Sequence, residues 1–353
     1  AGATVGGEGG RQCTVRAMDR LFIMCVLFAQ AQLAEQEITR ASWLALNETE
    51  RVLHYLDLAP RLGIQCPKVG ISTFYYPTLG KQLRGAIALA DIMPMEEICV
   101  IPETRMISFL TLANTSLEPL TRVSVKGNPL QGHILEEWEA MAMSLFILRE
   151  GSRSSSPFAP YILALFNGHD PDSIPKTWSQ NSSRFAALNY DLQAMVRKWQ
   201  LKVSVVYQHI AVHVIQKYTT QLSEGGVCGP STTSCLEFYS LERVIKVLAV
   251  VQARDWALPM HGVYRQFLAP LIDLLNFGQV GIRVHFNDKR RAFIAIAHKG
   301  VKSGSELLFY YGQFCRDQSM LIYGFIPEGS RPCRRASLNR PRRNNGKAAT
   351  LSS

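Results

Sequence analysis

The chain has 353 residues, a length that fits about two domains, with 47% apolar and 19% charged residues and a formal net charge of +10. That composition is ordinary for a globular protein with a sizeable core and excludes a low-complexity or fibrous chain. Seven of the positive charges (Arg331, Arg334, Arg335, Arg340, Arg342, Arg343 and Lys347) follow Glu328, where no acid occurs, so the body is only mildly basic and its net charge is no signal for nucleic acid.

From the amino end, residues 1–17 are Gly-rich and shapeless, and from Met18 the run Leu21–Ala29 reads as a secretory signal peptide. It is too short to span a bilayer. The same run also fits a core helix continuing through Leu33 to Ile38, in which case a cytoplasmic protein is expected, and a bipartite plastid-targeting leader would begin in the same way as a signal peptide. Trp43–Ala59 has helical periodicity. Short strands are expected at Gly70–Tyr76, Ala86–Leu89 and Ile98–Ile101. The period then turns helical over Ile134–Glu150, Pro160–Leu165 and one long helix from Ser183 to Lys217. A Gly/Ser/Thr loop spans Gly225–Ser234, Leu241–Arg254 is helical, and strands resume at Arg283–Phe286, Ala292–Ala297 and Glu306–Phe309. Strands, a helical block, then strands implies an α+β fold. The segment from Gly329 to Ser353 has too few apolar residues to pack and is expected to be a solvated basic tail, or else a contact for nucleic acid or an anionic membrane surface.

The eight cysteines form no C-x-x-C pair and no zinc-like spacing with His, so no metal site is expected. Cys228 and Cys235 flank a short loop and either pair in an oxidising compartment or remain thiols. Sequons at Asn47, Asn114 and Asn181 are compatible with the secretory pathway.

Three stretches in fixed order carry the functional signal: Leu271-Ile272-Asp273-Leu274-Leu275-Asn276, then Gly304-Ser305-Glu306-Leu307-Leu308-Phe309-Tyr310-Tyr311-Gly312, then Tyr323-Gly324-Phe325. Upstream stand Arg84-Gly85-Ala86-Ile87-Ala88-Leu89-Ala90-Asp91-Ile92 with Val100-Ile101-Pro102, Ser156–Tyr161 with Pro175 and Trp178, and Tyr239–Arg243 leading to Arg254-Asp255-Trp256. Together they resemble the zinc-free SET-domain protein methyltransferases, most closely the branch of the Rubisco large-subunit and actin-histidine methyltransferases. The resemblance covers roughly residues 40–328 and implies a SET-type fold of short β-sheets, with a helical lobe inserted at about 133–235. Residues 1–34 would then be a leader and 329–353 a tail.

What the resemblance implies is an S-adenosyl-L-methionine-dependent protein N-methyltransferase, on lysine before histidine, with a protein substrate and no metal. Tyr311 takes the place of the catalytic Tyr. Asn276 would contact the amino-acid part of the cofactor, with Gln82, Arg84 and Gly85 as an opening loop whose backbone approaches it, and with Arg254, Asp273 and Phe277 completing the pocket. Arg254, Trp256, Asp273 and Tyr323 would line the acceptor side. Arg254 and Asp273 equally fit a buried ion pair. The chain departs from the pattern at Phe277, where the family has His, and at Leu83, Ala86, Tyr310 and Arg316. Those departures keep open a second reading, a catalytically inactive SET-like protein-binding module.

Overall fold

In the computed structural model, the described residues are 56, 59–60, 62–77, 80–122, 131–153, 155–168, 170–279, 281–327 and 329–333. The expected leader, most of the helix at 43–59, the Asn47 sequon and the tail from 334 lie outside them.

The chain starts with an antiparallel hairpin, β1 (Val69–Tyr76) and β2 (Lys81–Ala88), in register from Val69↔Ala88 to Tyr76↔Lys81. β3 (Glu97–Pro102) and β4 (Ile107–Ser108) follow. A helical block comes next: α1 (Gln131–Glu150), α2 (Ala159–Gly168), α3 (Tyr190–Val206), a π turn (Tyr207–Ala211), α4 (Val212–Lys217), α5 (Thr232–Phe238) and α6 (Leu241–Arg254), besides shorter turns. The chain then returns to strands β5 (Trp256–Met260), β6 (Val263–Leu268), β7 (Asn276–Phe277), β8 (Ile282–Asn287), β9 (Ala292–Ala297) and β10 (Leu308–Phe309), and closes with α7 (Arg316–Tyr323). Sheets run β3-β9-β8 and β4-β6-β5, and a short parallel pair joins β10 to β7. This is the expected α+β arrangement, with the helical block between β4 and β5.

β9 is buried along nearly its whole length between β3 and β8, whereas the outer half of β1 alternates between exposed and half-buried residues. In α6, Val244, Val247, Leu248, Val250 and Val251 are buried, and the helix packs on α1, whose Trp138, Met141, Leu145 and Phe146 are equally buried. One core cluster runs through sheets and helices together. A smaller one, Phe185, Leu192 and Val196, packs against Met320 and Leu321 and so ties α3 to α7.

Four local expectations are corrected. The single helix from Ser183 to Lys217 is broken, because the Asn189 side chain accepts a hydrogen bond from the Leu192 amide at 2.8 Å and restarts the helix as its N-cap. Gln82–Gly85 are not a loop but part of β2. A hairpin absent from the sequence reading joins β5 to β6 through His261 and Gly262, whose φ of 51° and 77° fit a two-residue turn with both central residues left-handed. The expected tail is fixed at its start: the Arg316 amide donates to the Arg331 carbonyl at 2.9 Å, and Cys333 is disulfide-bonded to Cys315.

Cys228 and Cys235 are paired, and a third disulfide joins Cys66 to Cys99. Among the described residues no helix is long and apolar enough to cross a membrane.

Candidate active site

Three segments far apart in sequence meet beside the β1–β2 hairpin. The β7 and β10 strands pair Asn276 with Leu308 and Phe277 with Phe309. The segment before β10 docks on β2, with the Leu307 amide donating to the Ala86 carbonyl and the Ala88 amide to the Ser305 carbonyl at 2.8 and 2.9 Å. Close approach depends on two glycines. A Cβ at Gly85 would stand 2.6 Å from Asn276 Nδ2 and 2.7 Å from Glu306 Oε1, and one at Gly278 would stand 2.5 Å from Leu308 Cδ1. Leu271, just before the turn Ile272–Leu274, has φ 69°. A bulky side chain held there is backbone strain, retained where the surroundings fix the chain, and such strain gathers at functional sites.

The polar side of the site is built on Asn276, Tyr311 and Asp273. Asn276 Nδ2 donates to Glu306 Oε1 at 2.8 Å and to the Arg84 carbonyl at 3.2 Å. The Tyr76 hydroxyl donates to the same Glu306 oxygen at 2.8 Å, and burial, followed by the adjoining Glu306 carboxylate, raises the Tyr76 pKa well above a phenol's usual value. Tyr311 donates its hydroxyl to the Leu275 carbonyl at 2.6 Å. Burial, offset in part by the Arg254 charge, pushes its pKa up to about 12. It is therefore a protonated donor at neutral pH, not a base.

Asp273 is 5% exposed; its Oδ2 accepts from the Tyr161 hydroxyl of α2 at 2.9 Å while its Oδ1 is buried with no hydrogen-bond partner. Burial raises its pKa to about 6, against the lowering effect of Arg254. Arg254 reaches this residue through the main chain, Nη1 donating to the Asp273 carbonyl at 2.6 Å. Arg84 Nη2 donates to the Ala164 carbonyl of α2 at 2.9 Å.

The other side is aromatic. Tyr311 lies 5.0 Å from Tyr323 and 5.6 Å from Phe277, ring centre to ring centre. Phe277 also faces Tyr310 at 5.9 Å, and Tyr323 faces Phe314 and Phe325, both at 5.9 Å. Trp256 packs on Phe309 at 4.7 Å, and its indole N–H is buried without a partner. An apolar aromatic wall beside a protonated hydroxyl can take an apolar chain that ends in a neutral hydrogen-bonding group, because removal from water disfavours the charged form of an amine. Among the described residues no group of three His, Cys, Asp or Glu side chains is arranged to hold a metal ion.

No family profile matches the chain, and no curated protein matches it. Solved structures do. A crystal structure of the SET domain of LSMT bound to lysine and AdoHcy superposes with a TM-score of 0.50 at 15% identity, over 80% of this chain and 58% of that one. Rubisco LSMT bound to AdoMet aligns at a TM-score of 0.48 and 17% identity, over 79% of this chain and 57% of that one. The fold is that of a SET domain. This chain therefore spans less than two thirds of the length of these neighbours.

Within the SET fold, Arg84, Gly85, Arg254, Asp273, Asn276, Phe277 and Tyr311 converge, and Trp256 and Tyr323 stand on the aromatic side. Gln82 stands apart, exposed and opposite Tyr75 in the hairpin. Three participants had not been singled out: Glu306, Tyr76 and Tyr161. Glu306 and Tyr161 stand inside quoted motifs but without an assigned role, and nothing in the local sequence distinguishes Tyr76 from a core tyrosine.

Proposed function

We propose that this chain is an S-adenosyl-L-methionine-dependent protein N-methyltransferase acting on a lysine side chain. The observation that carries the reading is that Asn276, set against Gly85, and Tyr311, 35 positions later, meet at one place, the Tyr311 hydroxyl bonding the carbonyl of Leu275 next to Asn276. The lysine and AdoHcy held by the SET domain of LSMT support the same chemistry. The residues present fit such a cofactor: Asp273 Oδ1 and Trp256 Nε1 are buried polar atoms without partners, a state that costs stability unless a ligand relieves it. Asn276, Arg84, Gly85, Arg254, Asp273 and Phe277 would hold the cofactor, without Gln82.

When bound, the cofactor supplies an electrophilic sulfonium methyl. This chain's residues bind and align the acceptor, and Tyr311 orients its nitrogen by hydrogen bonding. The aromatic wall of Trp256, Phe309 and Tyr323 disfavours the ammonium form by desolvation, so the amine gives its proton to solvent and enters neutral. Alignment in line with the scissile bond then supplies most of the acceleration.

The disulfides and the exposed sequon residues Asn114 and Asn181 support passage into the secretory pathway, ending in export or in a plastid. Loss of apparent mass on endoglycosidase treatment of the native protein checks this.

Calorimetric titration with S-adenosylmethionine and S-adenosylhomocysteine tests the main reading. Saturable binding of both, lost in Asn276→Ala, is expected. Absence of binding in a folded sample would favour the inactive protein-binding module, with Phe277, packed against Tyr310 and Tyr311, as the cause.

A further inference from the structure

The carboxamide of Asn276 is flanked on its nitrogen side by two groups that only accept, the Glu306 carboxylate and the Arg84 carbonyl. Turning the amide over would set Oδ1 against both acceptors, so the orientation is fixed by chemistry. Both amide hydrogens are thereby spent, and Oδ1, with two lone pairs, is the end of the group that remains for a ligand. Glu306 is itself held by the Tyr76 hydroxyl on the same oxygen, Oε1. Gly85 is the reason these groups fit, since a Cβ there would strike both Asn276 Nδ2 and Glu306 Oε1. Glu306, Asn276 and Tyr76 are all half-buried, so the carboxylate's charge is only partly screened by water.

We infer that Glu306 and Tyr76 are positioning residues that turn Asn276 into a preset acceptor for an ammonium group, with the Glu306 charge behind it, so that this corner selects the α-ammonium end of the cofactor's amino-acid part. The inference rests on the cofactor reading above. Tyr76 keeps the carboxylate from rotating away, the carboxylate keeps Nδ2 turned inward, and the outward Oδ1 meets the cation. A hydrogen bond to a charged group in such a setting is stronger than a neutral one.

The test compares two ligands on the full chain: S-adenosylhomocysteine, which has the ammonium, and 5′-methylthioadenosine, which lacks the whole amino-acid part. In Glu306→Gln, which keeps shape and removes charge, affinity for S-adenosylhomocysteine is expected to fall about tenfold or more while that for methylthioadenosine is unchanged. Tyr76→Phe, which keeps the ring, is expected to show the same selectivity with a smaller loss, and it decides the matter alone if Glu306→Gln does not fold. Equal weakening of both ligands, or no change in either, would overturn the positioning role and leave the cofactor reading intact. A folded wild-type chain that binds neither ligand would overturn both together.

Discussion

Lys176 and Asp273 are both charged side chains almost wholly removed from water, and the molecule treats them differently. In the helical block, Lys176 Nζ donates to Gln252 Oε1 at 2.8 Å, Trp199 Nε1 donates to the same oxygen at 2.9 Å, and Gln252 Nε2 passes the chain on to Glu137 at 3.1 Å. Lys202 closes it with an ion pair to Glu137 at 3.0 Å. In the strand-built site, Asp273 keeps one oxygen unpartnered and Trp256 its indole N–H, while burial drives the carboxylate towards its neutral form. A buried polar group is tolerated when satisfied, and an unsatisfied one lowers stability. At these two residues the contrast is between a buried charge that the chain itself supplies with partners and one whose partners are incomplete.

The largest effect expected from breaking this contrast is at Tyr311. Tyr311→Phe removes only the hydroxyl, and methyl transfer is expected to fall by about 10²–10³-fold, the range for loss of one hydrogen-bonding group at the reacting atoms. Cofactor affinity is expected to hold, because the ring contacts with Phe277 and Tyr323 remain. Labelled-methyl incorporation alongside a binding titration separates the two, and unchanged transfer would remove Tyr311 from the mechanism.

In the helical block, Gln252→Leu deletes the acceptor shared by Lys176 and Trp199, and a loss of about 4 kcal/mol in urea unfolding is expected. Asp273→Asn is expected to act in the opposite direction, and only at higher pH. The folded pKa of about 6 lies above the ordinary value of 3.8, so between those two values the folded chain binds more protons than the unfolded one. Stability from this group is fully present below pH 4 and is lost as pH rises through about 6, on the order of 3 kcal/mol. Asp273→Asn should flatten that part of the stability profile and be the more stable form at pH 8. A variant destabilised equally at pH 4 and pH 8 would show Asp273 to be a structural partner of Tyr161 and nothing more.

How much of this was legible in the sequence follows from what each feature depends on. Asn276 and Tyr311 could be singled out because each sits in a contiguous motif recognisable despite the changes at Phe277 and Tyr310, and most strands because turn residues bound them. The β5–β6 hairpin could not, since Pro259 argues against a strand; it is tolerated because β5 is the edge of its sheet. Glu306 meets Tyr76 across 230 positions, and Asp273 meets Tyr161 across 112. Such partners are chosen by tertiary packing, and no local period encodes them. The same holds for the Cys66–Cys99 and Cys315–Cys333 pairs, set by which segments the fold brings side by side.

The smallest predicted effect tests whether the two regions are independent. Asn189 belongs to both: its Oδ1 caps α3, and its Nδ2 donates to Asp317 Oδ1 at the start of α7, the helix that carries Tyr323 to Tyr311. Asn189→Ala removes both bonds and should cost about 1 kcal/mol, the usual worth of an N-cap. Asn189→Asp keeps the cap but sets a second carboxylate against Asp317. If only the cap matters, the Asp variant should match wild type in thermal unfolding. If the bridge matters, the Asp variant should lose stability as well, more at low salt than at high, because repulsion between two exposed carboxylates is screened by ions. A loss of that kind accompanied by slower methyl transfer would mean that the helical block, by way of α7, sets the position of Tyr323 beside the Tyr311 hydroxyl.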